Sequence, residues 1–283
     1  MASGPILDVA VALELRQRNQ TGRGEIAWDV LGEGPPIVLT HGTPSRSLVW
    51  REVAPVLAER YRVYVWDLLG FGQSERGVDL DVSLVAHAEV LAELVDQWGL
   101  ERPALVGHDI GGAIVLRAHL LEHVGVSHLG LVDAVVLAPW ITPRTREMQM
   151  NAGRWTSLPD RELAAQIAEH LRTATTTPLA ADVFQGLFGQ WDGIDGQALY
   201  LHNLAQFDEE HTRAFEPLLS NIAVPVAVVW GEQDAWLPIE VAQSIVARIP
   251  GATLTVLTEA GHFSMEDDPA GVSTALLGLL TRA

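Results

Sequence analysis

One short stretch, residues 106–112 with the sequence VGHDIGG, limits the folds open to this chain more than any other feature. It lies between an apolar run at 103–106, which is typical of a strand, and apolar residues at helical spacing over 113–122. The glycines of the stretch lack the β-carbons that would obstruct a sharp turn. A strand that enters a helix through such a turn presents one side chain at its tip, and here that residue is Asp109.

Similar apolar runs, rich in valine and isoleucine, alternate with helical patterns along most of the chain. The strands that we predict are 36–40, 62–66, 103–106, 131–137, 224–230 and 252–257. The helices that we predict are 83–98, 113–122 and a closing helix from about 269. Strands that alternate with helices favour an α/β fold with a mostly parallel central sheet flanked by helices.

The pattern changes between residues 139 and 219, where strand-like runs are missing. Helical patterns at 161–172 and 197–207 are joined there by polar turns. We interpret 139–219 as a helical lid inserted into the α/β core. The core is then divided into a first part, 1–138, and a second part, 220–283.

Composition restricts the chemistry of the protein. The chain has 283 residues, no cysteine, no lysine and a formal net charge of −18. Disulfides, thiolate metal sites, a cysteine nucleophile and Schiff-base chemistry on lysine are therefore excluded. Because a strongly acidic surface repels nucleic acid and anionic lipid, we expect a small molecule as the partner.

The sequence contains no pattern for export or membrane insertion. Its first twenty residues lack the basic segment and unbroken apolar run of a secretory leader. The longest apolar stretch, 129–140, is too short to span a bilayer and contains Asp133. We therefore expect a cytoplasmic protein that does not bind membranes.

Three further segments accompany the turn at 106–112, and each follows a predicted strand. They are HGTP at 41–44, VWGEQD at 229–234 and EAGHF at 259–263. The carboxyl ends of parallel strands lie at one edge of a sheet. We therefore expect Asp109, Asp234 and His262 to meet at that edge.

In their order along the chain these segments resemble those of the α/β-hydrolase superfamily, and the resemblance covers nearly the whole length. It implies that Asp109 is the nucleophile, Asp234 the acid and His262 the base. It also implies that the backbone amides of Thr43 and Ile110 form the oxyanion hole.

A second carboxylate, Asp133, is an alternative acid. It lies in the apolar segment that follows the 106–112 turn, where one branch of the haloalkane dehalogenases carries its acid. The loop at 229–234 matches the superfamily better, so Asp234 is our first choice and Asp133 the fallback.

An aspartate nucleophile selects the substrate. Attack on an ester would give a mixed anhydride that expels the carboxylate again. Attack on a carbon that bears a halide or a strained epoxide oxygen gives a stable alkyl ester, which water activated by His262 can cleave. Asp109 therefore favours epoxide hydrolases and dehalogenases over esterases, lipases and peptidases, with water as the co-substrate.

Epoxide hydrolases and dehalogenases differ in the side chains that stabilise the departing oxygen or halide. Haloalkane dehalogenases usually carry tryptophan directly after the nucleophile and Asn or Glu after the His-Gly pair, where this chain has Ile110 and Thr43. Epoxide hydrolases usually use two lid tyrosines, and Tyr200 is the one tyrosine of the predicted lid. A second donor would be His170, His202 or a lid tryptophan. We predict epoxide opening, with haloalkane or haloacid dehalogenation by the same two steps as the alternative.

Aromatic and polar side chains near these segments are candidates for the substrate pocket. The residues that we assign to it are Tyr200, Trp140, Trp155, Trp191, Trp236, Phe263 and His41. This set predicts a small apolar or aromatic organic substrate.

The sequence HLLEH at 119–123 matches a zinc-binding pattern in which His119 and His123 share one face of a helix. No second motif supplies a third ligand, so we assign neither a metal nor a cofactor. A non-hydrolytic biosynthetic enzyme or a binding protein on the same scaffold is a further alternative.

Overall fold

The computed structural model describes residues 14–282. The first twenty residues are those in which we predict no secretory leader, and most of them, residues 1–13, lie outside the described residues. Within the described part, eight strands form a single sheet. The strands are β1 (Gln17–Thr21), β2 (Gly24–Leu31), β3 (Pro36–Thr40), β4 (Arg62–Trp66), β5 (Ala104–His108), β6 (Leu129–Val132), β7 (Val226–Gly231) and β8 (Thr253–Leu257).

The order of the strands across the sheet is β1-β2-β4-β3-β5-β6-β7-β8. Strand β2 is antiparallel to both of its neighbours, and every pair from β4 to β8 is parallel. Strands β5, β6 and β7 are buried at every position. Continuous burial is typical of parallel strands that are covered on both faces, so the predicted α/β fold with a mostly parallel sheet is confirmed.

The α-helices before β6 are α1 (Ala54–Ala58), α2 (Leu84–Gln97) and α3 (Ile110–Leu120). Those between β6 and β7 are α4 (Pro143–Met150), α5 (Ala152–Thr156), α6 (Asp160–Leu171), α7 (Ala181–Phe188), α8 (Gly193–Ala205) and α9 (Glu210–Arg213). Those after β7 are α10 (Ile239–Val246), α11 (Ser264–Asp267) and α12 (Pro269–Leu280). None of the helices in residues 14–282 is long and apolar enough to cross a membrane.

Local sequence accounts for most of the strands, and the exceptions are the end of β6 and the strands β1 and β2. The sequence predicted a strand over 131–137, but β6 ends at Val132 because Asp133 adopts a left-handed backbone with φ 43°. Strands β1 and β2 were not predicted, since β1 reads QRNQT and contains no apolar residue. Its pairing with β2 supplies the stability that its own side chains do not.

The chain between β6 and β7, residues 133–225, is called the insertion below. The elements assigned in it are helices, and the predicted lid, 139–219, falls within its bounds. Helices α4, α5 and α6 pack against α8. The insertion therefore has its own helical packing and leaves and re-enters the sheet between neighbouring strands.

Candidate active site

Asp109 occupies the turn between β5 and α3. Its φ of 52° and ψ of −124° are unusual for a residue with a side chain, and such strain costs about 1–3 kcal/mol. Glycines make the turn possible. A β-carbon on Gly107 would come within 2.2 Å of the Gly111 carbonyl oxygen, and one on Gly111 within 2.5 Å of the Thr40 carbonyl oxygen.

The Asp109 carboxylate has a neighbour at each oxygen. The Thr43 backbone N–H donates to Oδ1 at 2.8 Å, and Oδ2 lies 3.5 Å from His262 Nε2. Gly42 allows the first contact, because a β-carbon there would approach that of Asp109 to 2.4 Å. Ile110, whose amide we predict to complete the oxyanion hole, begins α3 and lines the same cavity as Asp109.

Asp234 orients His262. The His262 Nδ1–H donates to Asp234 Oδ2 at 2.8 Å. The other oxygen, Oδ1, accepts the backbone N–H groups of Trp236 and Leu237 at 2.8 and 2.9 Å. Both oxygens of the acid are thus engaged, and the imidazole is fixed with Nε2 toward Asp109.

His262 is fully buried between two carboxylates. Burial lowers the pKa of its imidazole, but the negative charges of Asp234 and Asp109 outweigh burial and raise the pKa to about 10. At 3.5 Å the contact with Asp109 is an ion pair rather than a hydrogen bond. His262 is therefore an imidazolium at neutral pH in the free protein.

Asp133, the fallback acid, is also fully buried but contacts other groups. Its Oδ1 accepts the Gly231 N–H at 2.7 Å, and its Oδ2 accepts the Ser264 hydroxyl. Burial and the charge of Asp234 raise the pKa of Asp133 well above its usual range. Since Asp234 is the carboxylate that is hydrogen-bonded to His262, the geometry favours Asp234 over Asp133 as the acid.

Asp109 lines a cavity of about 50 Å³. The core residues in its wall are Thr43, Pro44, Asp109, Ile110, Trp236 and Leu237, and Val135 comes from the start of the insertion, directly after β6. The wall residues that come from the helical part of the insertion and its approach are Trp140, Ile141, Thr142, Thr145, His170, Tyr200, Leu204 and Phe207. The cavity therefore lies between the sheet edge and the insertion.

The structure brings Tyr200, Trp140 and Trp236 into this wall, as the sequence predicts for substrate contacts. Four other predicted pocket residues are absent from the wall. They are His41, Phe263, Trp155 and Trp191. Each of the four is buried in packing elsewhere in the described chain.

His41 illustrates why a residue of the right motif does not reach the cavity. Its Nδ1–H donates to the Gly42 carbonyl, and its Nε2 accepts the Leu68 N–H. Both ring nitrogens are thus used inside the protein, and burial lowers the pKa of this imidazole. His41 shapes the loop that carries the Thr43 amide instead of touching a ligand.

The four tryptophans that we predict for the pocket all donate their indole N–H groups to hydrogen bonds within the protein. Among the wall residues, Trp140 donates to Thr212 at 3.2 Å and Trp236 donates to Thr173 at 2.9 Å. The two tryptophans outside the wall donate as well. Their acceptors are the Pro44 carbonyl for Trp191 and the Glu147 carboxylate for Trp155.

Three polar side chains of the wall have no hydrogen-bond partner within residues 14–282. The Tyr200 hydroxyl and the His170 imidazole form no hydrogen bond there, and the buried Thr43 hydroxyl is likewise unpaired. His202, which we considered as a donor, instead uses Nε2 on the Leu80 carbonyl at 2.9 Å. The cavity therefore presents a phenol, an imidazole and a hydroxyl to a ligand.

Several apolar wall residues were not predicted, among them Ile141, Leu204 and Phe207. In the sequence they belong to ordinary apolar patterns of the insertion. Such a pattern shows that a helix has a buried face, but it does not show whether that face meets another helix or a cavity. No local signal was available to find these residues.

The two histidines of the HLLEH sequence do not share one face of a helix. Helix α3 ends at Leu120, so His123 lies beyond it with φ 59°. The His119 Nδ1–H donates to the Val124 carbonyl at 2.9 Å. Within residues 14–282 no group of three or more His, Cys, Asp or Glu side chains is arranged to hold a metal ion.

Known proteins share this architecture. Residues 35–269 match the family model of the alpha/beta hydrolase fold, and the chain belongs to that family. Haloalkane dehalogenase 2 of Mycobacterium tuberculosis is 29% identical over 272 residues, which cover 91% of this chain and 92% of that protein. The chain is therefore a hydrolase of this family that is related to haloalkane dehalogenases.

Solved structures agree in fold. An alpha/beta hydrolase fold protein from Burkholderia ambifaria is 39% identical, with a TM-score of 0.90 and coverage of 94% of this chain and 98% of that chain. Haloalkane dehalogenase DbeA from Bradyrhizobium elkani has a TM-score of 0.77 at 19% identity, with coverage of 93% and 96%. The second likeness extends to the fold alone.

Proposed function

We propose that this enzyme opens a small epoxide by attack of the Asp109 carboxylate on a ring carbon, and that water then cleaves the alkyl ester. The observation that carries this proposal is the pairing of Asp109 with two unengaged donors, Tyr200 and His170, in the wall of one cavity. An epoxide oxygen develops negative charge as its bond to carbon breaks, so donors at that place stabilise the transition state.

In the first step we assign Asp109 Oδ2 as the attacking oxygen, because the Thr43 N–H holds Oδ1. The bond from Oδ2 to carbon forms while the ring C–O bond breaks. The departing oxygen takes the proton of Tyr200. Burial raises the pKa of the Tyr200 phenol to about 12, so the phenol carries that proton at neutral pH.

His170 is the second donor in this proposal. Burial lowers the pKa of its imidazole to about 4, and the charges of Arg144 and His262 act in the same direction. The ring is therefore neutral at physiological pH and carries one N–H. Stacking on Trp236, with ring centroids 4.4 Å apart, restricts its orientation.

In the second step, formation of the ester lowers the pKa of the base, His262. Esterification removes the charge of Asp109, one of the two charges that keep His262 protonated. The pKa of His262 then falls, and the imidazolium gives up a proton that restores the Tyr200 phenol. The imidazole is now neutral and accepts a proton from water.

The hydroxide formed attacks the carbonyl carbon of the Asp109 ester, and the Thr43 N–H stabilises the negative charge that develops on Oδ1. When this intermediate collapses, the bond from the carbonyl carbon to Oδ2 breaks, and Oδ2 leaves as a hydroxyl of the diol with the proton of the new carboxyl group. The Asp109 carboxylate is thereby restored with one oxygen from water, and His262 keeps the proton that it accepted.

Dehalogenation by the same two steps is the second candidate. The resemblance to haloalkane dehalogenase 2 favours it, and the unpaired Thr43 hydroxyl is a donor that a halide would accept. Against it stands the engagement of both indole N–H groups in the cavity wall, those of Trp140 and Trp236. A halide would therefore be held by hydroxyl and imidazole donors alone.

The cavity also supports a choice of substrate size and charge. Asp109 is the one residue among Asp, Glu, Lys and Arg in the cavity wall, and its carboxylate is used by the reaction, so the site suits an uncharged substrate. Its volume of about 50 Å³ is smaller than the roughly 150 Å³ cavity that holds benzene in another protein. We therefore favour a short aliphatic substrate over the aromatic one that the tryptophans suggested, with water as co-substrate and no nucleic acid or membrane partner.

Matched substrates test the proposal. The purified enzyme is incubated with 1,2-epoxybutane and, separately, with 1-bromobutane, and the diol and free bromide are measured. We expect diol formation at a rate at least about tenfold above bromide release, since donors for oxygen are present and the indole donors are engaged. Bromide release that exceeds diol formation would establish the dehalogenase alternative instead.

A single turnover in ¹⁸O-labelled water tests the covalent step. With enzyme in excess over substrate, an ester intermediate transfers an unlabelled Asp109 oxygen to the product. Product that contains solvent ¹⁸O in this first turnover would exclude attack by Asp109. Absence of any product from epoxides and haloalkanes, with binding retained, would favour the binding-protein or non-hydrolytic alternative.

A further inference from the structure

One buried side chain joins the two loops that carry the acid and the histidine. Asp133 Oδ1 accepts the N–H of Gly231, which ends β7 just before the loop of Asp234. Asp133 Oδ2 accepts the hydroxyl of Ser264, which begins α11 just beyond His262. The loops are thus linked through a third segment, in addition to two direct contacts, the His262–Asp234 hydrogen bond and the bond from the Gln233 N–H to the Ala260 carbonyl at 2.9 Å.

The backbone around Asp133 is built for this link. Its φ of 43° turns the chain out of β6, and its own N–H donates to the Val229 carbonyl at 3.0 Å. Asp133 and Ser264 are both fully buried, so water does not compete for the two side-chain hydrogen bonds. A structural turn alone would not require a carboxyl group whose two oxygens reach two different catalytic loops.

We propose that Asp133 is a positioning residue that ties the loop of Asp234 to the loop of His262 and thereby keeps the imidazole aligned with the acid. It does not touch the substrate in this role. The inference rests on the proposed function only in taking His262 as the base, and it holds for an epoxide or a halide substrate alike.

The charge of Asp133 determines whether this link also affects the deprotonation of His262. The ionisable groups that act on it are Asp234 and His262, and its other partners are Gly231 and Ser264. Burial and the Asp234 charge favour the neutral carboxyl. A third negative charge would stabilise the His262 imidazolium further and would hinder its deprotonation after ester formation. In the neutral form the Asp133 O–H donates to the Ser264 oxygen while Oδ1 still accepts the Gly231 N–H, so the link persists and aligns His262 without that penalty.

The first test measures the titration of His262 in the free protein by ¹⁵N NMR, with the signal assigned through the H262Q variant. In D133N the amide oxygen accepts from Gly231 and the amide N–H donates to Ser264, and asparagine tolerates the positive φ. We expect D133N to leave the His262 pKa within about 0.5 unit of wild type, and D234N to lower it by more than about 1 unit. A D133N shift as large as that of D234N would overturn the proposal, because Asp133 would then be an ionised second acid.

The second test removes the link. D133G suits the backbone at φ 43° but deletes both hydrogen bonds, and S264A deletes one of them without changing Asp133. We expect kcat to fall about 10- to 100-fold in D133G and less in S264A, with KM changed less than about twofold, while D133N retains most activity. Wild-type kcat in both D133G and S264A would overturn the proposal. If D133G does not fold, S264A decides this test alone.

The two tests separate this proposal from the proposed reaction. The NMR titration uses no substrate, so it decides whether Asp133 acts on His262 as an ionised second acid even if neither epoxides nor haloalkanes are turned over. Conversely, if the wild type turns over a substrate and both D133G and S264A keep the wild-type kcat, the link is overturned and the Asp109 reaction is left intact.

Discussion

The two walls of the cavity differ in how their polar groups are satisfied. On the sheet side, Asp109, Asp234 and His262 contact one another or backbone amides, and the residues that hold them are buried. On the insertion side, Tyr200 and His170 reach the same cavity without a hydrogen-bond partner in residues 14–282. On the sheet side the three reacting groups are organised before a ligand arrives and the Thr43 hydroxyl is the unpaired donor among the described residues of that wall, whereas the insertion side offers a phenol and an imidazole that a ligand would complete.

This difference has a physical origin. Asp109, Asp234 and His262 follow β5, β7 and β8, which are parallel strands of one sheet, and the hydrogen-bonded register from β5 through β6 to β8 places their carboxyl ends together. Tyr200 and His170 lie on helices α8 and α6, which belong to no strand pairing and are held by side-chain packing and by hydrogen bonds such as that of His202 to the Leu80 carbonyl. The sheet side therefore governs how a bond is attacked, and the insertion side governs which atom can leave. Substitutions on the two sides should have different consequences.

The largest effect is expected from D109N. Asparagine is tolerated at φ 52° and keeps an oxygen for the Thr43 N–H, but its amide is a very poor nucleophile. We expect kcat/KM to fall by about 10⁴-fold or more, with little change in melting temperature. Residual activity within tenfold of wild type would show that Asp109 is not the nucleophile.

Replacement of the base should separate the two steps. H262Q keeps Asp109 but removes the group that activates water, so the ester forms and is not cleaved. We expect turnover to fall about 10³-fold and the intact protein to gain the mass of the epoxide after incubation. D109N treated in the same way is the control and should gain no mass. An unmodified H262Q protein in the presence of a reactive epoxide would contradict the ester mechanism.

The insertion side is tested by Y200F. Loss of the phenolic proton should lower epoxide kcat by about 100-fold, because one of two donors to the departing oxygen is lost. Y61F is the matched control. Tyr61 precedes the amino end of β4, whereas Asp109 lies at the carboxyl ends of the parallel strands. A halide leaves without a proton, so bromide release by Y200F should change much less. Equal losses for both substrates would indicate that Tyr200 only shapes the cavity.

The pH dependence follows from the charges around His262. An imidazolium cannot accept a proton from water, so ester cleavage slows as the pH falls below the pKa of His262 in the ester form. That pKa lies below the value of about 10 in the free protein, because the ester has lost the Asp109 charge. When ester cleavage limits turnover, we expect kcat to decrease about tenfold per pH unit on the acid side. Rapid-mix experiments that start from isolated ester would measure this midpoint directly, and a midpoint at or above 10 would contradict the coupling.

The smallest effect is expected from W140F. The Trp140 indole N–H donates to Thr212, so its removal should not withdraw a donor from the leaving group. We expect bromide release and epoxide opening each to change less than about threefold. A loss of bromide release above tenfold, with epoxide opening unaffected, would mean that this indole turns to the halide during the reaction.

The accuracy of the sequence predictions varied with the kind of signal. The strand ends and the turn at Asp109 were predictable because apolar runs and glycines act locally. The end of β6 was not, since Asp133 leaves the strand to make hydrogen bonds with Gly231 and Ser264, which are distant in sequence. Strand β1 was missed because its polar residues become a strand only by pairing.

The sequence by itself determined the α/β-hydrolase family, the carboxylate at the strand-to-helix turn and the order of acid and histidine along the chain. Glycines and apolar runs carry that information residue by residue. Only the tertiary structure decided that Asp234 rather than Asp133 contacts His262, that His41 is used internally and that Tyr200 and His170 reach the cavity. These outcomes depend on side-chain directions across separate elements, and the packing of the insertion on the sheet decides them all at once.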